Sequence, residues 1–132
     1  MFNFTPFLDE LFTPGQAVTA TATEDIKLGQ LVEIVAADGL HATAKTPQLA
    51  VRVATPGAVA FGLAGHDVEK GGDLTVQRGA GRCFRVPAKG PHMAGDLLEV
   101  AEAGGFAQAS TGAPVAQAIR NSEDGHVDVT LL

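Results

Sequence analysis

A duplicated segment constrains the fold of this chain more than any other feature of its sequence. The stretch GQLVEIVAADGLHATA, beginning at Gly29, returns sixty-six positions later as GDLLEVAEAGGFAQAS, beginning at Gly95. Each copy reads as a strand, a glycine turn and a second strand, and Glu33 matches Glu99. The sequence therefore predicts two similar β-units.

The duplication continues in PGAVAFGLAGHDVEKGGDLTV from residue 56 and TGAPVAQAIRNSEDGHVDVTL from residue 111. In both, a strand of small residues precedes a polar turn and a strand with alternating apolar positions. The first unit has an extra segment, KTPQLAVRVAT, and the hairpin QRGAGRCFRVPAKGPHM separates the units. We expect the two units to pack into one barrel.

Sixteen glycines and seven prolines separate short apolar segments, a spacing that is typical of small all-β barrels and sandwiches. Val18, Ala20 and Ala22 alternate with threonines, which indicates one buried and one wet face. The candidate strands are QAVTATAT, QLVEIVA, LHATAK, LAVRVAT, AVAFGLA, DLTVQR, RCFRVP, DLLEVAE, FAQAST, PVAQAI and HVDVTLL. The predicted fold class is all-β: a small β-barrel over residues 15–132, preceded by an N-terminal arm over residues 1–14.

The N-terminal arm holds most of the aromatic side chains. Four of the seven phenylalanines lie in its first twelve residues, although the chain has no tryptophan and no tyrosine. Thr5 can cap a helix that Pro6 begins and that Pro14 and Gly15 end, so the sequence predicts a short helix in the arm. Ahead of that helix, Phe2–Phe4 alternates in the manner of an extended strand.

The apolar side chains of the arm are the candidate partner-binding residues. Burying six of them contributes about 9 to 18 kcal/mol, while fixing a dozen backbone residues costs about 12 to 24 kcal/mol. Because these free energies nearly cancel, we expect the arm to become ordered only in a preformed groove, on its own barrel, on a sister subunit or on another protein. The six residues are Phe2, Phe4, Phe7, Leu8, Leu11 and Phe12.

The net charge of −6 argues against nucleic acid as a partner, because phosphate repels an acidic chain. Arg78, Arg82 and Arg85 are the local exception and form a candidate patch for salt bridges to a partner. No apolar run approaches the roughly eighteen residues of a membrane span. Asp9 and Glu10 interrupt the N-terminal apolar stretch, which argues against a secretion signal. We expect no membrane partner and synthesis in the cytoplasm.

Side chains that would support catalysis are scattered along the sequence. His41, His66, His92 and His126 lie singly beside glycine or proline in predicted turns, where we expect them to be solvated. Cys83 is the only cysteine, and we expect it to be a small buried hydrophobe. The glycine-rich loop QRGAGRCF lacks the lysine of a phosphate-binding loop. We therefore predict no enzymatic activity, no catalytic residue, no cofactor and no metal.

One segment, VPAKGPHMAGDLLEVAEAGGF, resembles the biotinyl and lipoyl carrier domains, in which a strand beginning with GD leads to a hairpin that bears the modified lysine. The corresponding turn here, residues 99–105, contains no lysine. Carrier function is therefore not expected, while a related barrel topology remains open.

From residue 15 to residue 132 the order of elements resembles a family of small phage proteins that decorate capsids. The segments that carry the resemblance are VTATATEDIKLGQLVEIV, AFGLAGHDVEKGGDLTVQRGAGRCFRVPA, AGDLLEVAEAGGFAQAS and GAPVAQAIRNSEDGHVDVTLL. The resemblance implies a cement protein that binds the outer surface of an icosahedral head and stabilises the shell. It further implies a homotrimer at three-fold or quasi-three-fold positions, with the major capsid protein as partner and the virion as location, after synthesis in the host cytoplasm.

Two functions from different classes remain open. In the first, the chain is a capsid decoration protein whose six apolar arm residues contact the capsid or a neighbouring subunit. In the alternative, it is a β-barrel module of a phage tail or fibre that binds a ligand or carbohydrate. The lack of tryptophan and tyrosine weighs against sugar binding, for which aromatic platforms are usual.

Overall fold

The computed structural model describes residues 17–36 and 49–132, and nearly all of the regular secondary structure in these ranges is β-strand. The all-β prediction is confirmed, and ten of the eleven candidate strands overlap a strand of the structure. The eleventh, LHATAK, lies outside the described residues, as does the N-terminal arm with its predicted helix. The strands are β1 (Ala17–Ala22), β2 (Leu31–Val35), β3 (Ala50–Val53), β4 (Gly62–Ala64), β5 (Asp73–Gln77), β6 (Cys83–Pro87), β7 (Leu97–Val100), β8 (Phe106–Gln108), β9 (Ala116–Ala118) and β10 (His126–Leu131).

Helical structure within the described ranges is limited to one 3-10 turn, Glu102–Gly104, between β7 and β8. No helix in those ranges has the length and apolar character needed to cross a membrane.

The first five strands form a closed barrel in the order β1-β3-β2-β4-β5, with β5 pairing back to β1. In β1 the buried residues are Val18, Ala20 and Ala22, as the alternating sequence predicts, so the threonines between them line the outer face. The barrel is formed by the first unit alone, and the second unit forms a sheet of its own. The interior of the barrel is filled by Ala20, Ala22, Ile26, Val32, Val51, Ala64, Leu74 and Val76.

The last five strands form a sheet in the order β6-β10-β9-β7-β8. Its buried side chains share one apolar cluster with Leu31, Ala54 and Leu63 of the barrel. Because the cluster contains side chains from both units, burial of apolar surface holds the barrel and the sheet together.

The two units have the same strand order when β1 to β5 are matched with β6 to β10 in sequence. Hydrogen bonds repeat as well: the Gly29 N–H donates to the Ala64 carbonyl at 2.9 Å, and the Gly95 N–H donates to the Ala118 carbonyl at 2.7 Å. Both glycines have a positive φ, 82° and 92°, which explains why the duplicated turn keeps glycine at this position. The structure therefore contains the predicted duplication.

The assignment of one duplicated strand is wrong. The sequence matched residues 39–44 with the strand that contains Phe106, and treated KTPQLAVRVAT as an extra segment. In the structure Val51, within that segment, pairs with Ile34 of β2, just as Phe106 pairs with Val100 of β7. β3 is thus the equivalent of β8, and the additional residues of the first unit fall between β2 and β3. The gapless alignment of the two copies was based on similar residues at similar spacing. Which strands are equivalent depends instead on which strands pair through their backbones.

One difference between the units separates the barrel from the open sheet. In the barrel, β1 pairs in parallel with β3, and the Thr21 and Thr23 N–H groups donate to the carbonyls of Leu49 and Val51 at 2.8 and 2.9 Å. The equivalent of Thr21 is Pro87, since Cys83–Pro87 pairs with β10 as Ala17–Thr21 pairs with β5. Proline has no N–H to donate, and β6 and β8 form no ladder.

The glutamates shared by the repeats perform the same structural role. Glu33 Oε1 accepts a hydrogen bond from the Thr55 N–H at 2.7 Å, and Glu99 Oε1 accepts one from the Ser110 N–H at 2.7 Å. The Ser110 hydroxyl donates to the same oxygen at 3.0 Å, and Glu99 is only 8% exposed. Each carboxylate thus fixes the chain where it leaves the equivalent strand, β3 or β8.

Truncation of these glutamates tests that role. We expect Glu99→Ala to lower the free energy of unfolding by about 1 to 3 kcal/mol, because it leaves two donors of Ser110 without their acceptor and removes buried atoms. Glu33→Ala serves as the matched variant and should cost less, because its carboxylate is more exposed and water can replace it. Chemical denaturation measures both, and an equal or smaller loss at Glu99 would contradict the assignment.

Exchange of residues at the equivalent positions tests the closure of the barrel. Thr21→Pro removes the donor to the Leu49 carbonyl, so we expect it to lower the free energy of unfolding by about 1 to 3 kcal/mol. Pro87→Thr breaks no hydrogen bond and should change stability little. If thermal and chemical unfolding showed Thr21→Pro to be neutral, the parallel pairing would not be what holds the barrel closed.

Candidate functional site

The six predicted partner-binding residues, Phe2, Phe4, Phe7, Leu8, Leu11 and Phe12, lie outside the described residues. The structure does define where the chain that carries them joins the barrel. Ala17 is the first residue of β1 and pairs with Gln77, the last residue of β5. The point of attachment is therefore next to Arg78, the residue that follows β5.

A groove begins beside this attachment point, and we call it the attachment groove. It has a volume of about 660 Å³ and is lined mainly by apolar residues of both units. Val59 and Leu132, both in its lining, are 77% and 56% exposed. Exposed apolar side chains beside a concave surface are a feature of sites that bind other proteins. The remaining lining includes Phe61, Arg78, Ala80, Pro114, Val115 and Leu131.

The three arginines of the predicted basic patch are held by different partners. The Arg78 guanidinium lies 4.3 Å from the centre of the Phe61 ring, and that of Arg82 lies 4.9 Å from the Phe84 ring. Such cation–π contacts orient the guanidinium without neutralising it. Arg78 thus presents positive charge in the attachment groove, whereas Arg82 lines a separate pocket beside Phe84, and their role toward a partner stays a prediction.

Arg85 belongs to a separate ion-pair cluster. Its guanidinium donates to both carboxylate oxygens of Asp128, at 2.7 and 3.2 Å, and Arg120 lies 3.4 Å from the same carboxylate. The hydrogen bond from Arg85 is the largest cause that lowers the pKa of Asp128 below its usual value, and burial acts in the opposite direction. The same bond raises the pKa of Arg85. Arg85 is therefore paired with a carboxylate of its own chain, whereas Arg78 and Arg82 donate to the uncharged carbonyls of Phe61 and Arg78.

The gap between β6 and β8 forms a larger groove, which we call the seam groove. Its volume is about 950 Å³, and it is walled by residues 87–90 on one side and residues 101–108 on the other. Leu28 and Gly29 of the barrel also line it. In the second unit this groove lies where β1 and β3 pair in the first unit. No sequence feature indicated the groove.

His92 contradicts the expectation that the histidines are solvated. It is 5% exposed and lines the seam groove, and neither ring nitrogen finds a hydrogen-bond partner among the described residues. It occupies the position of the fully buried Ile26 in the first unit, sixty-six residues earlier, which is why its side chain points inward. His66 and His126 are exposed, as expected, and His41 lies outside the described residues.

Cys83 also differs from its prediction. It is exposed at the start of β6, where the alternation of the strand turns Phe84 and Val86 inward. Its thiol lies 3.6 Å from the Gly81 carbonyl. Within the described ranges, no group of three or more histidine, cysteine or acidic side chains is arranged to hold a metal ion.

The chain is thus a duplicated all-β protein with two partly apolar grooves. No family model matches it, and no curated protein matches it. Among solved structures, its fold is similar to that of the head fiber gp8.5 N base of bacteriophage phi29, with a TM-score of 0.69 and 18% sequence identity. The match covers 89% of this chain and 93% of that chain, so the two share a fold over nearly their whole lengths.

The ion pair at Asp128 makes stability depend on pH in the acid range. Because the folded-state pKa of Asp128 is lowered, its contribution is present above the unfolded-state pKa, about 3.9, and is lost as pH falls through the folded value. We expect Asp128→Asn to flatten the fall in unfolding temperature below about pH 4. Asp73→Asn, which alters an exposed carboxylate at the start of β5, is the control. The same acid dependence in Asp128→Asn and the unchanged protein would contradict the assignment.

Proposed function

We propose that this protein is a phage capsid decoration, or cement, protein. It binds the outer surface of an icosahedral head as a homotrimer at three-fold or quasi-three-fold positions, and it stabilises the shell by tying neighbouring major capsid subunits together. The observation that carries the proposal is the fold shared with a phage head fiber base over 89% of this chain. The sequence resemblance to small decoration proteins points in the same direction.

Adhesion through apolar contact is the mechanism we propose. The arm supplies Phe2, Phe4, Phe7, Leu8, Leu11 and Phe12, which bind the capsid or a neighbouring subunit. The attachment groove adds the exposed apolar side chains of Val59 and Leu132 at the base of that arm. Arg78, oriented by Phe61 in the same groove, offers a positive charge to acidic groups of the partner.

In a trimer, weak binding by each arm is sufficient for tight binding of the whole assembly to the shell. When one arm of a trimer has bound the shell, the other two bind as effectively intramolecular partners, and overall affinity can rise by about 10² to 10⁴ without new contacts. Because a shell has many equivalent sites, the binding of many trimers adds up to stabilise it. No bond is made or broken, so the proposal requires no catalytic group.

Binding to heads tests the proposal directly. Purified protein is mixed with empty heads of the phage whose genome carries this sequence, and sedimentation separates bound from free chain. We expect saturable co-sedimentation with heads and a rise in the temperature at which the heads disrupt. Failure to sediment with heads would refute the proposal, and co-sedimentation with isolated tails or fibres instead would favour the tail or fibre module.

The contribution of the arm is tested by substitution. We expect Phe7→Ala combined with Phe12→Ala to weaken head binding at least tenfold, because two apolar side chains that would be buried, each contributing about 1.5 to 3 kcal/mol, are lost. Asp9→Asn combined with Glu10→Gln is the matched control, since it alters the same segment and keeps its apolar side chains. Equal head affinity for the alanine variant and the unchanged protein would remove the arm from the binding mechanism.

A further inference from the structure

Among the described residues, the second sheet ends in two unpaired strand edges that border the same groove. β6 and β8 are the terminal strands of the order β6-β10-β9-β7-β8, and residues 87–90 and 106–108 line opposite sides of the seam groove. In the first unit the equivalent strands, β1 and β3, pair directly. Free strand edges are templates for pairing with another segment of chain.

The backbone of β8 presents hydrogen-bonding groups to this groove. The Ala101 N–H donates to the Gly105 carbonyl and the Ala109 N–H donates to the Leu97 carbonyl, so residues 105, 107 and 109 direct their backbone groups toward β7. Because these directions alternate along an antiparallel strand, Phe106 and Gln108 direct theirs toward the groove.

The first unit shows how such groups are satisfied when the edge is covered. There the Val51 carbonyl, equivalent to that of Phe106, accepts from the Thr23 N–H. The Val53 N–H, equivalent to that of Gln108, donates to Glu24 Oε2 at 3.0 Å. The residue at the position of Glu24 in the second unit is Gly90, which has no side chain to offer.

The chemistry of the groove suits an extended apolar segment. Leu28, Pro87, Ala88 and Phe106 line it with apolar surface. His92 also lines the groove; it is 5% exposed, and its buried ring nitrogens lack a hydrogen-bond partner among the described residues. Backbone pairing along an edge and pockets for alternate side chains are what a receptor for an added strand provides.

We propose that the seam groove receives the N-terminal arm of a neighbouring copy, whose extended stretch Phe2–Phe4 adds as a strand along β8. The proposal rests on the proposed function, because it assigns a binding site to the arm and an interface to the trimer. In such a strand Phe2 and Phe4 would share one side and Asn3 the other, so the two aromatic side chains can face the apolar surface of the groove.

The chain before Ala17 is long enough to reach a neighbouring copy, and it starts beside a different groove. Sixteen residues precede Ala17 in the sequence, enough to span about 50 Å when extended, whereas the radius of gyration of a compact chain of this size is about 14 Å. The first residue of β1, Ala17, lies next to the end of β5, and the following residue, Arg78, lines the attachment groove. The residues that line the seam groove are all different from those of the attachment groove.

Exchange of arms in one direction around the trimer of the proposed function satisfies every groove. Each copy donates one arm and receives one, so the contact is heterologous. In this arrangement Pro87 disfavours pairing of β6 with β8 within one chain, because proline has no N–H to donate. The edge of β8 then remains available to the arm.

Disulfide trapping tests the proposal on the full chain in the absence of heads. In a Cys83→Ser background, Asn3→Cys or Phe4→Cys is combined with Gln108→Cys, and the protein is oxidised gently. We expect covalent dimers and trimers on a non-reducing gel for at least one of the two arm positions. The control pairs the same arm cysteines with Glu69→Cys, an exposed site in the barrel, and should remain monomeric.

Two results would overturn the proposal: disulfides formed only within one chain, or no more linkage at Gln108 than at Glu69. Light scattering of a chain that lacks residues 2–12 provides an independent readout, and we expect the trimer to dissociate to monomers. A truncated chain that stays trimeric would also overturn the proposal. Because neither measurement involves heads, arm exchange can fail while head binding, and with it the proposed function, stands.

Discussion

The parallel pairing of β1 with β3 is the interaction on which the rest of this structure depends. Two short strand segments, joined through the N–H groups of Thr21 and Thr23, turn one five-stranded sheet into a barrel. The second copy of the same strand order has Pro87 where the first has Thr21, and it stays open. The loss of this N–H is one of the differences that distinguish the closed barrel from the open sheet of the second unit.

Contacts between the units keep that edge open and in place. Gln30 of the barrel donates its side-chain amide to the Ala103 carbonyl at 2.8 Å. Gly104 packs so closely on the Leu31 carbonyl that a β-carbon at this position would lie 2.8 Å from it. The turn between β7 and β8 is thus fixed to the barrel and holds β8 away from β6. These two contacts hold the N-terminal end of β8, and with it one wall of the seam groove, against the barrel.

Much of the fold could be predicted from the sequence, because its signals are local. Alternating Val18, Ala20 and Ala22 predicted β1, and the duplicated segment predicted β2 and β7. The equivalence of β3 and β8 could not be predicted, since it depends on which strand pairs with β2 and not on local composition. Burial of His92 was missed for a related reason: its neighbours in sequence are turn residues, and only its alignment with Ile26 reveals an inward position.

The candidate site was predicted less completely than the fold. The apolar arm and the arginines were visible in the sequence, because unusual residue types stand out. The two grooves arise from strands far apart in the chain, and no linear pattern marks them. The proposed binding uses both features: the apolar arm supplies the adhesive side chains, and the edge of β8 can receive an arm.

Amide hydrogen exchange measured by NMR tests the central claim, that the second unit has an open edge which a strand covers. The account predicts that the Thr21 and Thr23 amides are protected with or without residues 2–12, whereas the Phe106 and Gln108 amides are protected in the full chain and exchange much faster when those residues are removed. Equal protection of Phe106 and Gln108 in the two chains would contradict it.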